Sequence, residues 1–251
     1  MGKTIAVAGK GGVGKTSVAA LLIKHLRDKG SVPILAIDAD PNSNLNESLG
    51  LKVEQTLGGI TEEMLEGKDN MPPGMSKPDL LTMKANQCIV ETKGLDLLAM
   101  GRPEGPRCYC FANSILRDVI NMIGDQYPYL VIDNEAGLEH LSRRVMRTID
   151  LMLVVTDPTV RGMSAVRRIR ELVDELGINV SEMRLIVNRV RNGVPPRVQE
   201  LIGEIGIELA GTVAEDQVIT DCDSEGTPLL EIDSGSRAAT EVAEIAQAVG
   251  L

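Results

Sequence analysis

Short runs of apolar and β-branched residues alternate along this chain with longer stretches whose apolar positions recur at helical spacing. We predict strands at residues 4–9, 33–38, 95–100, 129–134, 151–157, 183–189 and 207–213, and amphipathic helices that include 16–29, 112–123, 162–176 and 236–249. Several strand segments are apolar at nearly every position, which is typical of parallel strands covered on both faces. The alternation therefore predicts an α/β fold with a mostly parallel, doubly wound sheet.

The segment GKDNMPPGMSKP at residues 67–78 is rich in proline, glycine and charge, and it is predicted to be a loop. It is too short to separate two domains, and the chain shows neither an internal repeat nor a low-complexity tail. A length of 251 residues is sufficient for one large α/β domain. We therefore predict a single domain that spans residues 1–251.

Composition narrows the function classes that the chain can serve. Aromatic residues make up only 2% of the chain, so a surface that stacks the bases of single-stranded nucleic acid is not expected. The formal net charge of −10 disfavours electrostatic binding to DNA or to an anionic membrane. Because neither a leader pattern nor an apolar run of membrane-spanning length is visible, we expect a cytoplasmic protein with its four cysteines reduced.

The strongest chemical signal is the sequence GKGGVGKTS, which directly follows the first predicted strand. Gly9, Gly14, Lys15 and Thr16 fit the pattern G-x-x-x-x-G-K-[ST], whose glycines allow backbone N–H groups to surround a phosphate. The helix that begins near Lys15 directs the positive end of its dipole at the same anion, and the Thr16 hydroxyl can bind Mg²⁺. We predict a phosphate-binding loop formed by Gly9, Gly11, Gly12, Val13, Gly14, Lys15, Thr16 and Ser17.

A second lysine, Lys10, lies inside this loop. With it the sequence resembles the deviant phosphate-loop ATPases of the MinD/ParA and nitrogenase iron-protein superfamily. In that superfamily the lysine matching Lys10 reaches across a dimer interface to the nucleotide phosphates of the partner. The resemblance therefore implies a P-loop NTPase fold, binding of ATP or ADP with Mg²⁺, ATP hydrolysis and a homodimer.

Two further motifs recur in the same order as in that superfamily: DADPN, with Asp38 and Asp40, and VIDNEAG, with Asp133 and Gly137. Both lie at the ends of predicted strands, where ligands of open α/β sheets bind. The resemblance implies that Asp133 lies on the magnesium side of the site and that Gly137 is the switch II glycine. It also implies that Asp40 orients a water molecule and that Asp38 lies near the metal shell, while Lys15 and the partner's Lys10 neutralise phosphate charge.

The sequence NRVR at residues 188–191 bears on the choice of base. Guanine presents two N–H donors, and guanine-specific sites place a carboxylate three residues after an asparagine. Here that position is Arg191, which cannot accept those hydrogen bonds. By resemblance Asn188 matches the adenine-side asparagine, so ATP is the expected nucleotide.

Cys108 and Cys110 in RCYCF are one residue apart and could present two sulfurs to one ion from an extended backbone, but not from a helix. Because GRPEGPR precedes the pair, we predict a non-helical backbone there. Two thiolates form only half of a tetrahedral or square four-sulfur site for Zn²⁺ or Ni²⁺. We predict that the missing ligands come from a second copy of the chain across a two-fold axis.

Together with FAN after the pair and the later DNEAGLEHLSRR, the C-x-C pair resembles the carbon monoxide dehydrogenase maturation factors of the CooC type. The resemblance implies that Cys108 and Cys110 bind nickel or zinc at the dimer interface. It also implies that ATP turnover is linked to nickel insertion into a client enzyme, carbon monoxide dehydrogenase or acetyl-CoA synthase. ATP would close two subunits and form the metal site, and hydrolysis would loosen it.

Two other functions are compatible with parts of the sequence. Four cysteines at a dimer axis could hold an iron–sulfur cluster, as in a scaffold or an electron-transfer ATPase of the nitrogenase iron-protein type. A membrane-bound organiser of the MinD type is less favoured, because the chain ends in SRAATEVAEIAQAVGL rather than in a basic amphipathic helix. A DNA-partitioning protein of the ParA type is less favoured because it needs a basic face, whereas the net charge is −10. Cys88 and Cys222 lack partners in sequence and are predicted to be structural, and His140 could either sense a ligand or bond locally.

Overall fold

The computed structural model describes residues 2–65, 74–75, 77–102, 108–136 and 148–251. These residues form one eight-stranded sheet, with the strands β1 (Lys3–Gly9), β2 (Ile34–Asp38), β3 (Ile89–Glu91), β4 (Leu95–Ala99), β5 (Tyr129–Asp133), β6 (Thr148–Thr156), β7 (Asn179–Val190) and β8 (Glu208–Ala214). Their order is β3-β4-β2-β5-β1-β6-β7-β8, and only the β3–β4 pair is antiparallel. The predicted α/β fold with a mostly parallel sheet is confirmed.

Helices cover both faces of the sheet. In the described part of the chain they are α1 (Lys15–Asp28), α2 (Leu45–Ser48), α3 (Leu57–Leu65), α4 (Lys77–Gln87), α5 (Cys108–Ile123), α6 (Val160–Leu176), α7 (Pro196–Ile205), α8 (Gln217–Glu225) and α9 (Arg237–Ala248). Helices α1 and α9 contribute to one apolar cluster with Ile5 and Val7 of β1, whereas the alternate β1 residues Ala6 and Ala8 face a second cluster with α6 and α7. Helix α5 packs on the same face as α6, over β2 and β5. Among the described residues, no helix is long and apolar enough to cross a membrane.

The topology brings the predicted nucleotide-binding segments to one edge. Strand β1 lies between β5 and β6, although it precedes both in the chain, so the strand order reverses beside it. Connections leave the carboxyl ends of neighbouring strands in opposite directions at such a point, which opens a crevice for a ligand. Gly9, Asp38 and Asp133 end three adjacent strands and therefore line this crevice.

The backbone expected at the cysteine pair is wrong. Helix α5 begins at Cys108, so Cys108 and Cys110 lie in its first turn rather than in an extended segment. Proline is tolerated immediately before a helix, and Pro103 and Pro106 both precede residue 108, so neither prevents helix formation. The predicted loop at 67–78 also overlaps helix α4 at its end, while most of the remaining residues lie outside the described part.

Candidate functional site

The phosphate loop connects β1 to α1. Two of its glycines, Gly9 and Gly14, have backbone conformations or close contacts that a larger residue would not tolerate. Gly9 has a φ of +154°, and a Cβ there would clash with the carbonyl oxygen of Val155 on β6. Gly14 has a φ of +89° and directly precedes α1. Of the other predicted phosphate-binding residues, Gly11, Gly12 and Val13 lie in the loop, and Lys15, Thr16 and Ser17 lie in the first turn of α1.

The two lysines of the loop occupy different environments. The Lys15 side chain is only 7% exposed, and its Nζ donates a hydrogen bond to the Lys10 carbonyl oxygen at 3.4 Å. Lys15 therefore folds back over its own loop, where a bound phosphate of the same chain would lie. Lys10 is exposed instead. Its ammonium group is thus available to a molecule outside the chain, as the predicted action across a dimer requires.

Thr16 and Asp133 form the predicted magnesium side of the crevice. The Thr16 hydroxyl donates a 2.6 Å hydrogen bond to Asp133 Oδ2, and Asp133 is 1% exposed. The other oxygen, Oδ1, is buried and has no hydrogen-bond partner among the described residues. Burial raises the pKa of Asp133 to about 6, although the Thr16 hydrogen bond and the Lys15 charge oppose the shift. A hydroxyl beside a carboxylate with a free oxygen fits Mg²⁺, which commonly takes one or two protein ligands and completes its shell with phosphates and water.

Asp38, at the end of β2, is fully buried and holds the segment that follows it. Its Oδ1 accepts a 3.1 Å hydrogen bond from the Asp40 N–H, and its Oδ2 accepts one of 3.0 Å from the Leu45 N–H. Burial raises the pKa of Asp38 to about 7, with the Asp133 charge adding to the shift and both backbone donors opposing it. The observed role of Asp38 is thus to position Asp40, while its predicted place near the metal stays a prediction.

Asp40 is partly exposed at the mouth of the crevice. Its Oδ1 accepts hydrogen bonds from the Asn42 backbone N–H at 2.9 Å and from the Asn42 side-chain amide at 3.0 Å. These bonds fix the carboxylate on a short turn beside the buried Asp38. The geometry is compatible with the predicted orientation of a water molecule by Asp40, because the carboxylate is fixed yet reachable from solvent.

Without nucleotide or Mg²⁺, we expect the contribution of Asp38 and Asp133 to the stability of the fold to fall as the pH rises from about 4 to about 8. Folded Asp38 and Asp133 have raised pKa values, so they hold protons more tightly than the unfolded chain does. Their contribution therefore favours the folded state below the ordinary pKa of 3.8 and is lost as the pH rises through about 6 and 7. Urea denaturation across this pH range, in the presence of EDTA, measures the effect.

The variant Asp133→Asn isolates this contribution from other titrating groups. It retains an oxygen that can accept the Thr16 hydrogen bond, but it cannot ionise. We expect it to be more stable than the wild type by roughly 1–3 kcal/mol at pH 8, and by little or nothing at pH 4, since one pKa unit corresponds to about 1.4 kcal/mol. Equal effects of the substitution at both pH values would contradict the assignment.

Asn188 connects the end of β7 to the phosphate loop. Its Nδ2 donates a 2.8 Å hydrogen bond to the Val13 carbonyl oxygen, and its Oδ1 accepts a 2.9 Å bond from the Arg189 N–H. The predicted adenine-side residue therefore also supports the loop. Beyond it lies an open cavity of about 550 Å³, lined by residues that include Arg189, Arg191 and Glu215. Glu215 was not among the predicted site residues.

The structure leaves part of the predicted metal site undescribed. The backbones of Cys108 and Cys110 are placed in α5, but their side chains lie outside the described part, as do Gly137 and His140. In the described ranges, no cluster of three or more histidine, cysteine, aspartate or glutamate side chains is arranged to hold a metal ion. Cys88 and Cys222 are buried free thiols, as predicted for structural cysteines. Burial, with the Glu63 charge, raises the pKa of Cys88 to about 12, which keeps that thiol protonated.

Comparison with known proteins agrees with this geometry. Residues 4–229 match the profile of the CobQ/CobB/MinD/ParA nucleotide binding domain. The chain is 44% identical to an uncharacterized ATP-binding protein of Methanocaldococcus jannaschii, over 98% of this chain and 97% of that protein. It is 28% identical to the carbon monoxide dehydrogenase accessory protein CooC of Rhodospirillum rubrum, over 93% of this chain and 91% of that one.

The fold also matches that of a solved structure. The septum site-determining protein MinD of Pyrococcus horikoshii, complexed with Mg-ADP, superimposes with a TM-score of 0.74 and 23% identity. The match covers 100% of this chain and 96% of that one. At this level of identity the similarity establishes the shared sheet and helix arrangement.

Proposed function

The chain belongs to the CobQ/CobB/MinD/ParA nucleotide-binding family, and from this premise we propose that it is a dimeric, ATP-hydrolysing nickel metallochaperone. The main support is that three features occur together in one chain. A buried lysine and an exposed lysine share the phosphate loop, and the same chain has a C-x-C pair and extended similarity to CooC. Family membership alone favours only nucleotide binding.

Hydrolysis of ATP requires neutralisation of the charge on the β- and γ-phosphates and an oriented water molecule. Lys15, held over the loop, would serve the phosphates of its own chain, and the exposed Lys10 would serve those of a partner. Asp40 would orient the water from its fixed position at the mouth of the crevice. Thr16 and Asp133 would hold Mg²⁺, which would supply further neutralisation of phosphate charge.

The metal cargo would bind to Cys108 and Cys110 of both subunits. A position in the first turn of α5 favours the thiolate form, because the positive end of the helix dipole stabilises a nearby negative charge. On helical backbone, however, residues two apart point about 200° away from each other. The first turn would therefore have to open for both sulfurs of one chain to reach one ion, at a cost of a few kcal/mol against the roughly 10–16 kcal/mol that structural zinc sites supply.

The two sites would be coupled through the dimer, since each depends on the same partner. ATP would hold two subunits face to face while the cysteine pairs assemble the metal site, and hydrolysis would loosen the interface and release the ion. The client would be carbon monoxide dehydrogenase or acetyl-CoA synthase. This part of the proposal is supported by the similarity to the R. rubrum accessory protein.

The test is a metal titration of the Cys108→Ser, Cys110→Ser double variant. We expect its affinity for Ni²⁺ and Zn²⁺ to fall by about one hundred-fold or more, because hydroxyls replace all four thiolates of the proposed site. Equilibrium dialysis with elemental analysis, in the presence of ATP and without oxygen, measures the stoichiometry. One ion per dimer is expected for the wild type.

The matched control is the Cys88→Ser, Cys222→Ser variant, which removes two buried free thiols that are not part of the proposed site. It is expected to retain stoichiometric metal. Undiminished metal binding by the Cys108/Cys110 variant would reject the cysteine assignment. Anaerobic reconstitution with iron and sulfide tests the alternative, because a stable brown, redox-active species would favour an iron–sulfur protein.

A further inference from the structure

The cavity beyond Asn188 lies where the base of a bound nucleotide would extend. Asn188 joins the end of β7 to the Val13 carbonyl of the phosphate loop, and the cavity opens immediately after it in the chain. Nucleotides in open α/β sheets bind across the carboxyl edge, from the phosphate loop towards neighbouring strands. Residues at the end of β7 and in the 191–195 loop that follows it are thus placed to contact the base.

Glu215 reaches this cavity from the neighbouring strand. Its N–H donates a 3.1 Å hydrogen bond to the Val190 carbonyl oxygen, and Val190 pairs with Ala214 at the end of β8. These backbone contacts place Glu215 opposite Arg191. Guanine-specific sites have a carboxylate at the position of Arg191, and here Glu215 brings a carboxylate next to that position from a different strand. The sequence NRVR alone could not predict this placement.

Arg191 binds both oxygens of that carboxylate. Its Nε donates to Oε2 of Glu215, and its Nη2 donates to Oε1 at 2.8 Å. The hydrogen bonds from Arg191 lower the pKa of Glu215, so the carboxylate is ionised at neutral pH. A guanidinium and a carboxylate joined in this way form a bidentate pair. Any other group with two parallel N–H donors would have to bind the same two oxygens.

Guanine has two such donors, because its N1–H and N2–H groups are parallel. The corresponding edge of adenine has one acceptor and one donor. A free Glu215 would therefore favour guanine, and a paired Glu215 would not. We propose that Arg191 is a specificity-determining residue that holds Glu215 away from guanine and so maintains the preference for ATP over GTP. This inference rests on the nucleotide-binding part of the proposed function and is independent of its metal part.

The variant Arg191→Ala tests this directly, with the affinities for Mg-ATP and Mg-GTP measured by isothermal titration calorimetry. We expect the affinity for GTP relative to that for ATP to rise at least about five-fold, the lower range for a bidentate contact to a base. The double variant Arg191→Ala, Glu215→Gln is expected to return to the wild-type ratio, because the amide no longer accepts both guanine donors.

The matched control is Arg168→Ala, which breaks a similarly exposed ion pair with Glu175 on α6, away from the cavity. It should leave the ratio unchanged. An unchanged ratio in Arg191→Ala, or the same rise in the double variant, would overturn the proposal. So would loss of both nucleotides in Arg191→Ala with an unchanged thermal unfolding curve, because Arg191 would then contact the nucleotide itself. Failure of the wild type to bind either nucleotide would instead refute the proposed function.

Discussion

The Lys10→Ala variant is expected to bind Mg-ATP about as tightly as the wild type, yet to hydrolyse it roughly 10³-fold more slowly. Lys15 remains in place over the loop of its own chain, and the contact that it makes with residue 10 is to the backbone carbonyl. Substitution at position 10 therefore leaves the binding loop intact. What is lost is the exposed ammonium that would neutralise transition-state charge on the partner's nucleotide, a contribution of the size known for arginine fingers supplied in trans.

Three measurements separate this effect from others: calorimetric ATP binding, phosphate release, and ATP-dependent dimerisation by light scattering. Lys15→Ala should lose ATP binding as well as turnover, because its buried side chain would contact the phosphates bound by the same chain. The control Lys52→Ala removes an exposed lysine that pairs with Glu54 at the surface, and it should behave as the wild type in all three. Normal dimerisation and turnover by Lys10→Ala would show that neither the interface nor the chemistry depends on this residue.

The central sheet could be predicted because several of its parallel strands, such as β2, β5 and β6, are nearly continuous apolar runs. The same runs end in residues with a chemical signature, such as Gly9, Asp38 and Asp133, so the crevice could be predicted as well. Strand β3 could not, because it is a three-residue, partly exposed edge strand that pairs antiparallel to β4. Its pairing is determined by its neighbour in space rather than by its own pattern.

The cysteine pair shows where a local rule failed. Glycine and proline before residue 108 suggested a non-helical backbone, but the helical pattern of α5 continues upstream from the buried Ile115, Leu116 and Val119. Packing of that apolar stripe on the sheet stabilises the helix, and no proline lies inside it to interrupt the extension towards its first residue.

Tertiary relations account for the other features that the sequence did not reveal. Glu215 is 24 positions from Arg191 in the chain and contacts it only because β7 and β8 pair. Likewise, the two backbone bonds that Asp38 accepts depend on the path of residues 40–45, which no motif specifies. Both residues are polar groups at strand ends, so their types could be noticed in the sequence while their partners could not.

The buried carboxylates of the crevice link stability to function. Asp38 and Asp133 have pKa values raised by burial, so their ionised forms are costly in the empty protein. A cation bound beside Asp133 would remove that cost, and the folded state would gain the free energy of ligand binding. The pH dependence expected for the empty protein should therefore diminish when Mg-ADP is bound, which follows from the same charges that would make the site functional.

The Gly14→Ala variant is expected to be less stable by about 3 kcal/mol and to bind Mg-ATP at least about one hundred-fold more weakly. Gly14 adopts a left-handed conformation with a φ of +89°, which costs an alanine roughly 1–2 kcal/mol. In addition, the new Cβ would clash with Nδ2 of Asn188, the atom that donates to the Val13 carbonyl. Relief of the clash must move either the loop or Asn188, and breaking their buried hydrogen bond costs about 1–3 kcal/mol more.

Gly177→Ala is the matched control, because Gly177 also has a positive φ of +61° but no atom within 4 Å of the position of its Cβ. It should show only the conformational cost, with nucleotide binding unchanged. The variant Asn188→Ala should weaken nucleotide binding without adding backbone strain, and in Gly14→Ala, Asn188→Ala the two losses of stability should be less than additive, since both remove the same hydrogen bond. Additive losses would mean that Gly14 and Asn188 act independently, and the phosphate loop would then not depend on the β7 asparagine for its shape.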